Sequence, residues 1–220
     1  MPSSNPIFIT GCQRSGLSMV AGVFDCCGAW LGVNGERGPR QDAFENVRLT
    51  DGLVLPYLQM TGLPENGSCP VLSMIKGNHW IMPKWAERVG EVLGERRTEG
   101  VWAYKSFRIA LMWRQWARAF PGAWWIIVRR NQADLANSCI KTGYMKQFQS
   151  LPDWVDWAEG WSSLLDDVEA NIQDSIYCVW PFKFFQGDLS EIRGAVEGSG
   201  LTWNEEAVHN FLPALKEGSK

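Results

Sequence analysis

The stretch from Pro6 to Phe24 constrains the fold more than any other part of the chain. Pro6-Ile7-Phe8-Ile9-Thr10 is a short apolar run that stops at Gly11, which is the pattern of a buried strand. Gly11-Cys12-Gln13-Arg14-Ser15-Gly16 is a loop of mostly small residues, and beyond it Leu17, Val20, Ala21 and Phe24 recur at helical spacing. Gly28 is placed to end that helix, as glycines commonly do. The chain therefore opens as strand, glycine loop, helix. Glycines let backbone N–H groups turn inward, and a helix N-terminus adds partial positive charge toward an anion. Arg14 adds a full positive charge, and Ser15 and Ser18 add hydroxyl donors.

The alternation continues. Residues 32–41 read as a loop, 42–61 as a helix, 62–78 as a second loop and 82–94 as an amphipathic helix. Val101 to Tyr104 reads as a strand running into Lys105, and residues 108–119 as a helix. Ala123 to Val128 is the most strand-like run in the chain, and it leads into Arg129-Arg130-Asn131. Asn131 suits the cap of the next helix, with Asp134 completing a capping box. Trp154, Trp157, Ala158, Trp161, Leu164, Leu165 and Val168 mark one face of a long helix. Ser175 to Trp180 reads as a fourth strand, followed by helices at 188–198 and 204–214.

Strands alternating with helices predict an α/β fold, a three-layer αβα arrangement around a central parallel sheet. A chain of 220 residues fits a single domain. In such folds ligands bind beyond the carboxyl ends of the strands. Gly11, Lys105 and Arg130 all fall at such ends.

Bulk composition narrows the classes of partner. The net charge of −3 argues against a general nucleic-acid binder. No apolar run approaches the ~20 residues that span a bilayer, so no membrane partner is expected. The segment before Ile7 lacks the features of a signal peptide. The six cysteines form no CxxC pair and have no histidine partner at zinc spacing, so they read as reduced thiols in a cytoplasmic protein. Thirteen tryptophans read chiefly as packing residues. Some are candidate walls of an acceptor pocket: the Trp-rich loops around Trp80 and Trp85, and the segment from Tyr144 to Trp154, are placed to line it.

Gly11 to Ser18 has the spacing G-x-x-x-x-G-x-S, a P-loop frame with Leu17 where a triphosphate-binding loop carries Lys. That Lys reaches the β- and γ-phosphates of a nucleoside triphosphate. A loop without it suits a shorter anionic tail, such as a 5′-phosphosulfate. Arg14-Ser15-Gly16-Leu17-Ser18 resembles the first signature of the sulfotransferase superfamily, [Lys/Arg]-Ser-Gly-Thr-[Ser/Thr], with Leu17 departing from the usual Thr. The family's second signature follows a central strand, and Arg130, Asn131, Asp134 and Ser138 match its spacing. Tyr104-Lys105-Ser106-Phe107-Arg108 is similar to the Lys-Asp-Pro-Arg element of bacterial and carbohydrate-directed members. The likeness covers residues 6–27, 42–50 and 101–143, and more faintly 178–212. The Arg-Lys-Gly element of cytosolic members does not occur near the C-terminus, which implies a different way of holding adenosine.

The resemblance implies a P-loop NTPase-like sulfotransferase fold and 3′-phosphoadenosine 5′-phosphosulfate (PAPS) as donor. It implies that Gly11, Cys12, Gln13, Arg14, Ser15, Gly16, Leu17 and Ser18 cradle the 5′-phosphosulfate, and that Arg130 and Ser138 hold the 3′-phosphate. The reaction is then in-line attack of an acceptor hydroxyl or amine on sulfur, with no metal required. The acceptor expected is a carbohydrate or small molecule. Arg14 and Lys105 would stabilise charge on the transferring group. For the general base, Glu45 in Phe44-Glu45-Asn46 is preferred, early in the helix expected from residue 42, resembling the Phe-Glu element of Glu-using members. His79 and Glu36 are further candidates, and His209 reads as structural or exposed. Two other readings are a divergent P-loop kinase and a non-catalytic module for nucleotide or sulfated glycan. The kinase calls for a Walker lysine and an Mg²⁺ carboxylate at a strand end.

Overall fold

A computed structural model describes residues 5–32, 44–68, 72–78, 80–94, 100–142, 145–172 and 175–217. Four strands form its sheet: β1 (Ile7–Gly11), β2 (Ala103–Lys105), β3 (Trp124–Val128) and β4 (Ile176–Val179). All pairings are parallel, in the order β2-β1-β3-β4. Every residue of β1 is buried. Successive side chains of a strand point to opposite faces, so both faces of the sheet are covered, as a parallel sheet requires. The α/β class expected from the alternation is the one observed.

The order of the strands locates a crevice. After β1 the chain crosses to β2 on one side of it, and after β3 it continues to β4 on the other. The carboxyl ends of β1 and β3 therefore flank the point where the direction of winding reverses, the place where open α/β sheets bind ligands. Gly11 pairs with Val128 across that point. A Cβ on Gly11 would lie 2.4 Å from the Val128 carbonyl oxygen, so the close approach of these two strand ends requires glycine.

The tryptophans mostly build the core. Phe8 on β1 packs its ring against Trp102, Trp116, Phe120 and Trp125. Trp85 and Trp154 are 2% and 0% exposed, and Trp80 lies over Tyr57. None of these three rings lines the large cavity described below, whereas Met145 and Gln147, within the segment from Tyr144 to Trp154, do; Tyr144 lies outside the described residues.

Several element boundaries differ from expectation for local reasons. The helix expected from residue 42 starts at Val47, where the Asn46 side chain accepts the Leu49 N–H; residues 42 and 43 lie outside the described set. It comprises α2 (Val47–Leu49), a π-helical turn (Thr50–Val54) and α3 (Leu55–Thr61). Pro56 has no N–H for the Gly52 carbonyl, and the ladder widens in the turn before it. Residues 62–78, expected as loop, include α4 (Leu72–Gly77). Its Lys76 pairs with Asp167. Pro83 and the left-handed Lys84 (φ 58°) delay α5 to Trp85–Leu93. The helix expected over 108–119 breaks at Met112 into α6 (Arg108–Leu111) and α7 (Trp113–Ala119). The remaining helices are α1 (Leu17–Cys26), α8 (Gln132–Ile140), α9 (Leu151–Asn171), α10 (Ser190–Gly198) and α11 (Glu205–Glu217), with a 3-10 helix at Pro181–Gln186. Among the described residues no helix is long and apolar enough to cross a membrane.

Candidate functional site

The loop after β1 is held in a conformation that ordinary residues resist. Gly16 is left-handed (φ 103°), and a Cβ there would meet Pro181 Cγ at 2.9 Å. Arg14, with φ 66°, is left-handed without being glycine. Backbone of that kind costs on the order of 1–3 kcal/mol and clusters at ligand clamps. The Ser15 N–H closes the turn on the Cys12 carbonyl at 3.2 Å. Gly16 caps α1, whose first N–H groups face the crevice end because a helix offers them no carbonyl.

The second basic motif meets this loop. Asn131 caps α8 by accepting the N–H groups of Ala133 and Asp134 at 2.9 and 3.4 Å, which fixes the chain just after Arg130. The Arg130 Nη1 donates to the Arg14 carbonyl at 2.8 Å. In turn Arg14 Nε donates to Ser138 Oγ at 3.2 Å. Residues from the two signatures thus touch directly, bridging a sequence separation of 124 positions. The neighbouring Arg129 points elsewhere. It is buried and forms bonds with Asp166 and Glu169 of α9 at 2.8 and 2.5 Å, so its charge is used within the fold.

Lys105 ends β2 and is 6% exposed. Its Nζ lies 3.7 Å from Glu45 Oε1. Glu45 stands just before the Asn46 cap rather than within a helix. Phe44 before it is left-handed (φ 52°) and buried, with its ring against Phe211. An anchored, strained residue beside the carboxylate fixes where that carboxylate points. The Tyr104 hydroxyl is 3.0 Å from Thr50 Oγ1. Burial pushes its pKa up to about 12, and the Glu45 charge adds to the rise. Tyr104 therefore stays neutral next to the Lys105–Glu45 pair.

These groups border a cavity of about 890 Å³ whose walls include Gln13, Arg14, Gly16, Leu17, Ser18, Glu45, Lys105 and Arg130. A second cavity of about 410 Å³ is bounded by Arg14, Arg130, Asp134, Asn137, Ser138, Lys141 and Thr142. Arg14 and Arg130 belong to both. Gly11, Cys12 and Ser15 do not line either one. Gly11 is buried in the sheet, and Cys12 and Ser15 face a small space behind the loop, bounded also by Arg129 and Trp180. Ser15 Oγ is buried there without a hydrogen-bond partner. The basic field reaches Cys139 on α8: burial raises its thiol pKa to about 11, while Arg14 and Arg130 pull in the opposite direction.

The fold is sulfotransferase-like. It is similar to the crystal structure of the sulfotransferase STF1 from Mycobacterium tuberculosis H37Rv, with a TM-score of 0.57 and 14% identity, over 94% of this chain and 70% of that one. At that identity the likeness speaks for architecture. No family model and no curated protein matches the sequence.

Within this sulfotransferase-like fold, the sequence-based site residues divide clearly. Gln13, Arg14, Gly16, Leu17, Ser18, Glu45, Lys105 and Arg130 share one cavity, and Ser138 joins through Arg14. His79 and Glu36 lie outside the described residues. His209 is on exposed α11 surface, with Nδ1 beside the Glu205 carbonyl, as expected of a residue outside the site. Among the described residues no cluster of three or more His, Cys, Asp or Glu is placed to hold a metal ion.

The structure adds residues that pattern reading missed. The turn around Asn66 forms part of the cavity wall, with its carbonyl accepting from Gln13 Nε2 at 2.8 Å. Arg108 Nε grips the adjacent Glu65 carbonyl at 2.8 Å. Met19, Phe107 and Phe185 also belong to the wall, together with Met145 and Gln147 from the segment between Tyr144 and Trp154 that the sequence had marked. The only signals for this turn were Pro64 and Gly67, which announce a bend but not its destination.

Proposed function

We propose that this chain is a PAPS-dependent sulfotransferase, acting on a hydroxyl or amine acceptor. The observation that carries the reading is the meeting of Arg14 and Arg130 over the crevice between β1 and β3, at the mouth of a cavity of about 890 Å³. The chemistry of the donor set fits the cosubstrate. Two arginines, a buried lysine, a serine hydroxyl and a helix N-terminus converge, which suits a ligand with separated anionic groups. Gln13, Arg14, Gly16, Leu17 and Ser18 would hold the 5′ end, and Arg130 and Ser138 the 3′-phosphate. Gly11, Cys12 and Ser15 would shape the cradle from behind.

When bound, PAPS supplies an activated sulfuryl group whose departure leaves 3′-phosphoadenosine 5′-phosphate (PAP). The protein's part is positioning and charge. Lys105 offers a fixed cation, and preorganised cations act most strongly in a site that excludes water. Glu45 accepts the proton of the acceptor, with Lys105 Nζ at 3.7 Å holding the carboxylate in place. The chain is proposed to act as one domain.

The test is calorimetric titration with PAP, without added metal, for wild type and Arg130→Ala. Saturable binding that the substitution weakens by roughly tenfold or more, the size of one charge-assisted bond, supports the donor site. Absence of wild-type binding, together with Mg²⁺-dependent ATP binding, moves the assignment to a divergent kinase.

A further inference from the structure

Resting on the sulfotransferase reading, we infer that Arg108 is a further residue of the donor site, a guanidinium that meets the sulfuryl end of PAPS from the side of the phosphate loop opposite Arg130. The order of the strands sets this placement. β1 lies between β2 and β3, so the loop after β1 has the end of β3, with Arg130, on one side and the end of β2 on the other. Lys105 closes β2, and Arg108 follows as the first residue of α6. Arg108 and Gln13 then grip neighbouring carbonyls of one turn: Arg108 Nε donates to Glu65 at 2.8 Å, and Gln13 Nε2 donates to Asn66 at 2.8 Å. Successive Cα atoms are about 3.8 Å apart, so the guanidinium is fixed close to the end of the Gln13 side chain, beside the phosphate loop. Both side chains border the cavity that contains Glu45 and Lys105.

The orientation of Arg108 is fixed while most of its donors stay open. Its backbone N–H donates to Ser106 Oγ at 3.2 Å. Its guanidinium lies 4.4 Å from the centre of the Phe107 ring, which is itself packed edge-on to Trp161. A guanidinium carries five N–H donors. One is used on Glu65, and those on Nη1 and Nη2 have no partner among the described residues. By contrast, Arg114, Arg129 and Arg193 are each paired with carboxylates. The carboxylate in the same wall, Glu45, lies against Lys105 at 3.7 Å, and Arg14 Nε is turned to Ser138 on α8. The buried Tyr104 hydroxyl feels the Glu45 charge and, in the opposite sense, the Arg108 charge, which sets Arg108 within reach of the Glu45–Lys105 pair. A fork held by one bond and one ring, with its outer donors open to a cavity, is built to receive an oxyanion. Such a group needs no reorganisation as charge gathers on the transferring oxygens.

The test is calorimetric titration of PAPS, and of PAP, which lacks the sulfuryl group, into the full chain without acceptor. The proteins are wild type, Arg108→Met, Arg108→Lys and Gln13→Met, with urea midpoints to check folding. In Arg108→Met, PAPS affinity is expected to fall roughly tenfold or more, the size of one charge-assisted bond, and PAP affinity to change by less than about threefold, because Gln13, Trp157 and Trp161 still hold the turn. Arg108→Lys keeps the charge without the fork and is expected to recover part of the loss. Gln13→Met controls for the turn and should weaken PAPS and PAP alike. Equal weakening of the two ligands in Arg108→Met would mean that Arg108 serves only the turn, and the inference falls; it falls also if PAPS affinity is unchanged. Should Arg108→Met not fold, Arg108→Lys decides, and a PAPS-to-PAP affinity ratio equal to wild type overturns the inference. These failures leave the donor reading standing, since PAP still binds. Wild type that binds neither ligand overturns the donor reading and the role of Arg108 with it.

Discussion

Trp157 on α9 donates its indole N–H to the carbonyl oxygen of Gly67 at 2.8 Å, a contact across 90 positions of sequence. Trp161, one turn later, donates to the same oxygen at 3.1 Å. Gly67 adjoins Asn66, whose carbonyl holds Gln13 of the phosphate loop. Helix α9 is therefore linked to the proposed donor site through a single turn. Other buried tryptophans in the described structure, such as Trp116 and Trp154, leave their indole N–H without a partner and act only through packing.

That turn should be intolerant of change at Gly67. The residue is left-handed (φ 66°), and a Cβ would lie 2.9 Å from both Phe107 and Trp161. Gly67→Ala is expected to destabilise the fold by about 1–3 kcal/mol. Under conditions where the variant is folded, it should also weaken PAP binding, because Asn66 no longer meets Gln13 in register. Urea melts and calorimetry read the two effects; an unchanged midpoint would refute the packing argument.

Arg129 and Arg130 are adjacent in sequence and are expected to behave in opposite ways. Arg129 is held by Asp166 and Glu169, which are 67% and 29% exposed at the side chain, so water offsets much of what its removal costs. Arg129→Ala should lower stability by about 1–2 kcal/mol, the range of hydrogen bonds to charged groups after screening, and leave PAP affinity near wild type in the folded protein. Arg130→Ala should do the reverse. Loss of PAP affinity in both variants would mean that the two arginines act as one cluster.

The contrast shows what was legible in the sequence. The strand-loop-helix opening and the parallel sheet follow from local patterns whose spacing the backbone enforces. Glycine placement and strand ends carry that information in a few residues. The rest of the cavity wall does not work that way. Phe185 reaches the cavity from the 3-10 helix, far along the chain from the loop after β1, and a lone phenylalanine has no spacing to betray it. The tryptophans misled for a related reason: a large ring reads the same in a pocket as in a core, and Trp85 and Trp154 are in the core. Glu45 was found by its Phe-Glu context, but its position ahead of the Asn46 cap depends on a left-handed Phe44 that no periodicity encodes.

Glu45→Gln separates chemistry from binding. The amide keeps the shape but cannot take a proton, so turnover should fall by about 10²–10⁴-fold, the usual contribution of a general base. PAP affinity should change little. Lys105→Gln should lower turnover and also weaken PAP binding, because it removes a buried cation from the cavity wall. Full turnover in Glu45→Gln, measured by sulfuryl transfer from PAPS to an accepted hydroxyl or amine, would move the base elsewhere.

Alkaline stability reports on Tyr104. Its hydroxyl is buried and its pKa is raised to about 12, against about 10 for tyrosine in an unfolded chain. Below pH ~10 both states keep the proton, and the stabilisation from the neutral hydroxyl is fully present. As pH rises past ~10, the unfolded chain releases the proton while the folded protein retains it, so stability falls by about 1.4 kcal/mol per pH unit until the folded group also ionises. Tyr104→Phe lacks this proton. It should start less stable, having lost the contact with Thr50, but its stability should decline less steeply than wild type between pH ~10 and ~12. Cys178, whose thiol is also raised to about 12, contributes equally to both proteins and cancels in the difference. Urea midpoints across this range give the comparison. Parallel curves would mean that Tyr104 ionises at its ordinary pKa, and would place water at the hydroxyl that the packing of β2 against the Thr50 turn excludes.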